Sequence, residues 1–222
     1  MTLTPTVAAA LARQCAPQVA VPTMVALVSS ESGLDPYAIG DNSTGRSYHL
    51  GNAPAAAAQA TALVAAGHSI DMGLAQINSR TAGALGLSIQ AAFDPCRNLA
   101  AAQRLMVNSY RRLSPSAPTV QHAISGMLST YNTGDSRRGV RNGYVARVYA
   151  SAARLRPALI YDPAVAKASP AVSISAPLET PPPAIPLAVT APAAPPAWRV
   201  FGGAAAAGAM VFETPRTKGR TL

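Results

Sequence analysis

The sequence predicts a mainly helical α+β domain followed by a proline- and alanine-rich tail, and three observations carry that prediction. Alanine dominates a chain that is 49% hydrophobic and only 5% aromatic. Apolar surface therefore has to come from Ala, Leu, Val and Ile, which suits closely packed helices and disfavours an all-β core. Next, the pairs Thr4-Pro5, Pro22-Thr23 and Asp94-Pro95 place proline where helices begin. Finally, 12 of the 20 prolines lie from Pro157 onward, including Pro181-Pro182-Pro183 and Pro195-Pro196. Such density forbids regular helix and favours extended, solvated chain. The 222 residues thus divide into a folded domain over 1–156 and a disordered tail over 157–222.

Each element follows in order from the same signals. Helices open at Pro5 and Pro22, and Gly33 reads as the stop of the second. The Gly/Asn-punctuated segments Ala38 to Asn42, Tyr48 to Asn52 and Ser69 to Ile77 make a small irregular sheet. Further helices are expected over Pro54 to Ala66 and around Thr81 to Leu85. From Pro95, the residues Leu99, Ala102, Met106, Tyr110 and Leu113 recur at steps of three and four, with Arg104, Arg111 and Arg112 on the other faces. Two more helices run from about Thr119 to Tyr131 and from Gly143 to Leu155. In the tail, Trp198 with Arg199, Val200 and Phe201 is the one cluster sticky enough to dock on a partner.

The formal net charge of +9 points to an anionic partner. Its carriers are nearly all Arg, with Lys only at Lys167 and Lys218, and they are scattered rather than gathered into a basic stripe. Nucleic acid is therefore not the expected partner. The longest apolar run, Gly202 to Phe212, is too short to span a bilayer, and no basic region followed by an apolar stretch marks a secretory signal at the N-terminus. His49, His68 and His122 lack paired-ligand spacing, and neither a Gly-x-Ser-x-Gly elbow nor a phosphate-binding loop occurs, so no metal and no cofactor is expected. Cys15 and Cys96 form no metal-type spacing. They pair with each other if the compartment is oxidising, or remain as two buried thiols.

Among candidate catalytic residues, Glu31 stands first. Met24, Leu27, Val28 and Glu31 fall at helical spacing, so its carboxyl projects from the stripe that makes core contacts. Gly33 puts it in the final turn, where the helix dipole disfavours further negative charge. Burial and dipole both favour the protonated form, as a general acid requires. Of the three glutamates, Glu179 and Glu213 sit in the tail, which leaves Glu31 alone in the domain. The bland alternative is a salt-bridged structural glutamate.

Two further constellations accompany it. In Asp71-Met72-Gly73-Leu74-Ala75-Gln76-Ile77-Asn78-Ser79, a glycine permits close approach of a ligand to the backbone, while Gln76 and Asn78 offer hydrogen bonds to sugar hydroxyl and acetamido groups. The same alternation also suits an edge strand with polar residues facing water. In Ser129-Thr130-Tyr131-Asn132-Thr133-Gly134, Tyr131 is aimed inward from the face of Ile124, Met127 and Leu128, and Gly134 terminates the helix. Alone, that is a core tyrosine and a cap.

Together, Glu31-Ser32, Gly73-Leu74-Ala75-Gln76-Ile77-Asn78 and Tyr131-Asn132-Thr133-Gly134 occur in the order and rough spacing of the three signature motifs of soluble lytic transglycosylases. Over residues 10 to 155 the chain resembles that family, and within it most closely the murein-cleaving subunit of type IV secretion and conjugation systems. The resemblance implies a lysozyme-like fold with a cleft between a helical lobe and a small sheet. It implies peptidoglycan glycan strands as substrate, a periplasmic location, and secretion-system components as partners through the tail. Glu31 would protonate the glycosidic oxygen and then act as base toward the muramoyl 6-hydroxyl, giving a 1,6-anhydro product. Ser32, Gly73, Gln76, Asn78 and Thr81 would line the cleft, and Tyr131 with Asn132 would support the Glu31 carboxyl and the sugar. The family's usual Met before the motif glutamine is Ala75 here, and the stretch from Asn42 to Asp71 is long and Ala-rich. The segment from Asp71 to Arg80 is also similar to the one carrying the second carboxylate of animal c-type lysozymes. Hydrolysis by Glu31 and Asp71 together is therefore the alternative chemistry, and a non-catalytic wall-binding scaffold the alternative role.

Overall fold

The computed structural model describes residues 2–160. The chain runs α1 (Pro5–Cys15), α2 (Val21–Ser32), β1 (Ala38–Asp41), β2 (Arg46–His49), α3 (Ala53–Ala65), β3 (Ile70–Met72), β4 (Ile77–Asn78), α4 (Ser79–Ala82), α5 (Pro95–Leu113), α6 (Val120–Thr133), α7 (Arg138–Arg141) and α8 (Tyr144–Ile160). Short 3₁₀ turns occupy Gly83–Leu85, Ala91–Phe93 and Ser114–Ser116. It is the expected mainly helical α+β architecture with a small sheet. The tail beyond Ile160, with the Trp198 cluster, lies outside the described residues. α8 itself continues through Pro157 to Ile160, past the expected domain edge at 156. Among the described residues no helix is long and apolar enough to cross a membrane.

Local chemistry explains where the helices start and stop. The side chains of Thr4, Asn52, Asp94 and Thr119 each accept a backbone N–H of the first turn they precede, in α1, α3, α5 and α6. Proline follows at the first or second position of α1, α2, α3 and α5. Gly33 and Gly134 end α2 and α6 in the left-handed conformation that glycine adopts without penalty.

α2 is the axis of the helical lobe. Met24, Val25, Ala26, Leu27 and Val28 are all buried, so the helix is enclosed on every side rather than amphipathic as its spacing suggested. It packs on α1 and α8, while α5 packs on α1 and α6. Leu99, Ala102, Met106 and Tyr110 of α5 face the core as expected. A disulfide between Cys15 and Cys96 ties the end of α1 to the start of α5, with Cα atoms 5.2 Å apart.

The sheet is antiparallel throughout, in the order β2-β1-β3-β4. β2 spans Arg46–His49 rather than Tyr48 to Asn52, and Asn52, used as the cap of α3, cannot also extend the strand. The Ala-rich stretch is α3. Its buried Ala56, Ala60 and Leu63 pack against β1 and β3, so the insertion covers the sheet.

Candidate active site

Glu31 is half-buried in the last turn of α2, where the left-handed Gly33 stops the helix. Its carboxyl is pushed up from the ordinary 4.5 to about 7. Burial is the largest cause. A hydrogen bond donated by the Tyr144 hydroxyl to Oε1 pulls the other way, the charge of Asp71 adds to the rise, and Arg147 again opposes it. The protonated acid is therefore substantially populated at neutral pH, with burial rather than the helix terminus as the leading cause.

Asp71 is presented by the sheet. The register sets it directly opposite Asn78, so the two side chains share one face, and Asn78 Nδ2 donates to Asp71 Oδ1 at 2.7 Å. Asn42, at the end of β1, donates to Oδ2 at 2.8 Å. Both oxygens of Asp71 thus accept an amide hydrogen, whereas Glu31 accepts one from a phenol.

The turn between β3 and β4 is braced from every neighbouring element. Asn98 of α5, 0% exposed, donates through Nδ2 to Met72 O at 2.9 Å and Ala92 O at 2.8 Å, and accepts the Ala75 N–H at 2.7 Å. Ser32 Oγ donates to Leu74 O at 2.7 Å, and Tyr131 Oη donates to Ala75 O at 2.7 Å. Gln76, at φ 51°, folds its own amide back so that Nε2 donates to Gly73 O at 2.8 Å and Ala38 O at 3.1 Å. The residues expected to contact sugar therefore turn inward: the Ser32 hydroxyl and the amide nitrogens of Gln76 and Asn78 donate within the protein.

The structure places two of the expected site residues as follows. Gly73 was expected to let a ligand approach the backbone. At φ 74°, an added Cβ would instead lie 2.2 Å from Ala92 O and 2.6 Å from Asn98 Nδ2, so the close approach is made by the chain itself. Asn132 was expected, with Tyr131, to support the Glu31 carboxyl and the bound sugar; it is exposed, and its Oδ1 accepts from Asn142 Nδ2 at 3.3 Å. Support comes from Tyr144 at the start of α8. Burial and the adjacent Glu31 push both the Tyr144 and Tyr131 phenols well above their ordinary range, which keeps them as donors. Thr81 is half-buried in α4, one turn beyond β4.

Tyr144 and Asn98 are the residues that the sequence reading missed. A signal existed for each. Tyr144 shares a helical stripe with the buried Val148 and Ala152, and Asn98 shares one with Ala102 and Met106, so a polar group is carried into the core on both helices.

Residues 8–151 match the protein family described as Transglycosylase SLT domain. The chain is 42% identical to Protein virB1 of Agrobacterium fabrum over 156 residues, covering 68% of this chain and 62% of that protein. It is 40% identical to Protein virB1 of Rhizobium radiobacter over 153 residues, covering 69% and 64% respectively. With Type IV secretion system protein virB1 of Brucella abortus it shares 33% identity over 176 residues, or 76% of this chain and 74% of that protein. The chain thus spans just under two thirds of the first two relatives. No solved structure matches it.

Proposed function

The chain belongs to the transglycosylase SLT domain family, and from that premise we propose that it is a lytic transglycosylase of peptidoglycan. Glu31 gives its proton to the oxygen of the β-1,4 bond between N-acetylmuramic acid and N-acetylglucosamine as the C1–O bond breaks. Positive charge builds on the muramoyl ring, where the fixed carboxylate of Asp71 stabilises it. The muramoyl 6-hydroxyl then attacks C1 while the Glu31 carboxylate takes its proton. The acid is restored, and the 1,6-anhydro ring forms without water. The observation that carries this reading is Glu31 itself, the one glutamate among the described residues, held near pKa 7 beside Asp71 and Tyr144.

Asp71 also favours a second reading, hydrolysis by two carboxylates. Two amide donors hold its oxygens, which suits a stationary charge better than a nucleophile that must form a bond. The product decides. Purified protein incubated with murein sacculi should release muropeptides ending in anhydro sugars, each lighter by one water than the product of hydrolysis. New reducing ends would establish the two-carboxylate route, and neither product would defeat the enzymatic reading.

The Brucella abortus relative carries a type IV secretion name, and we extend that setting to this chain. It would open the wall locally in the periplasm so that a secretion or conjugation apparatus can assemble, with the Pro/Ala-rich tail engaging the apparatus. A truncation that removes the tail should impair transport while leaving sacculus cleavage intact. Unchanged transport would remove the tail from the proposal.

A further inference from the structure

We propose that Arg147 is a specificity-determining residue that binds a carboxylate of the glycan substrate beside the scissile bond. The proposal rests on the lytic reading above and names the chemistry by which that same cleft selects its strand.

Arg147 lies one turn beyond Tyr144 on α8, with its guanidinium carbon 5.8 Å from the centroid of the Tyr144 ring. The hydroxyl of that ring donates to Glu31, and the charge of Arg147 is itself felt at the Glu31 carboxyl. The cation therefore lies over the ring whose hydroxyl meets Glu31. Its side chain is exposed, and its protein acceptor is Asn142 O at a long 3.4 Å. It forms no ion pair within the described residues. Several other arginines are better satisfied. Arg104 donates to Leu85 O at 2.7 Å, Arg154 donates to Ser151 Oγ at 2.8 Å, and Arg138 and Arg141 face the carboxylate of Asp135. A guanidinium presents five N–H groups in a planar fork that matches a carboxylate, so Arg147 keeps most of its donors for a ligand.

The placement also has an electrostatic consequence. With no substrate bound, Arg147 works against the burial that keeps Glu31 protonated. A substrate carboxylate paired with Arg147 would cancel that opposition, so an anionic strand would keep more of the Glu31 that cuts it in the protonated form. Asp71 on the sheet repels the same carboxylate, which leaves the α8 side to receive it. The groups acting on Glu31 are then Asp71 from β3 and Tyr144 and Arg147 from α8, while Glu31 in turn acts on Tyr131 of α6.

Muramoyl residues supply the required chemistry from two sources. Their lactyl carboxyl is free on strands stripped of peptide, and the peptide stems of unstripped strands carry carboxylates of their own. Three substrates separate the sources: sacculi with intact stems, amidase-stripped strands, and stripped strands whose lactyl carboxyl has been converted to the methylamide. Wild type should cleave one carboxylate-bearing substrate about three- to tenfold more efficiently than the methylamide strands, in the range of a charge-assisted hydrogen bond at a partly exposed site. The preferred substrate identifies the source. Arg147→Gln should bring that ratio close to one, and Arg147→Lys, which keeps the charge without the fork, should retain part of it. Wild-type cleavage with no preference, or an Arg147→Gln loss equal on all three substrates, overturns the proposal while leaving the lytic reading standing. Cleavage of none of the three would overturn both. Unfolding temperatures of the variants, expected within a degree or two of wild type because the side chain is exposed, separate lost recognition from lost fold.

Discussion

Replacing Glu31 by Gln should abolish cleavage and at the same time stabilise the fold, by an amount that depends on pH. The carboxyl sits at about 7 in the folded protein against an ordinary 4.5, a displacement that corresponds to about 3 kcal/mol. Solvent reaching the half-buried side chain screens part of this, so about 2 kcal/mol is the expected size. Because the folded value is raised, the group leaves stability intact below pH 4.5, where both states are protonated. Between 4.5 and 7 the unfolded chain ionises first and wild-type stability falls, and above 7 the loss is complete. The amide of the variant titrates in neither state. Urea unfolding of the two proteins with the disulfide kept intact should give near-equal stabilities at pH 4. At pH 8 the variant should lead by about 2 kcal/mol, or about 5 °C in thermal midpoint. Other titrating groups, such as Asp41, held down at about 2 chiefly by the Thr44 hydroxyl, are common to both proteins and cancel. A gap of the same size at pH 4 and pH 8, or a wild type more stable than the variant at pH 8, would refute the buried-acid reasoning.

Tyr144→Phe removes the hydrogen bond that favours the charged form of Glu31. The alkaline limb of the pH profile for anhydro-product release should therefore move up by about one pH unit; a downward move would contradict the assigned direction. Asn98→Ala leaves the Ala75 N–H and the Met72 and Ala92 carbonyls without their partner in a buried site. It should lower stability by about 3 kcal/mol or more in equilibrium unfolding. Removing the disulfide by Cys15→Ala with Cys96→Ala frees a loop closed at a sequence separation of 81. It should destabilise by about 4 kcal/mol on the loop-entropy estimate, read from the same titration.

What the sequence disclosed was whatever depends on near neighbours. Thr4-Pro5 and Asp94-Pro95 announced helix starts because the cap and the first turn are adjacent in the chain. Gly33 fixed Glu31 in a last turn for the same reason. The four-residue α7 escaped because it is too short to show a period and starts without a side-chain cap. Tyr144 escaped differently: it meets Glu31 across 113 residues, a distance over which no periodicity can speak. The structure gives the motif residues hydrogen bonds within the protein that the sequence could not disclose. Hydrogen-bonding capacity in a sequence does not say whether the partner is a ligand or the chain's own carbonyls, and here the carbonyls of residues 72 to 75 take most of it.

That allocation explains how Asp71 is held in place relative to Glu31. The Asp71 carboxyl keeps its position only if its strand cannot move, and its strand is continuous with the turn over residues 73–76. The turn contains two left-handed residues, Gly73 at 74° and Gln76 at 51°. The second, a non-glycine, stores strain of about 1 kcal/mol that local hydrogen bonds must offset. Gln76 supplies those bonds with its own amide, Asn98 holds the turn from α5, Tyr131 from α6 and Ser32 from α2. Ser32 follows Glu31 directly in the chain. The bond from Ser32 to Leu74 thus anchors the acid and the charged strand to each other, so their separation is set by the backbone rather than by a bound sugar. In the proposed reaction a substrate would then meet the Glu31 and Asp71 carboxyls already in place, the preorganisation that electrostatic stabilisation of a developing positive ring requires.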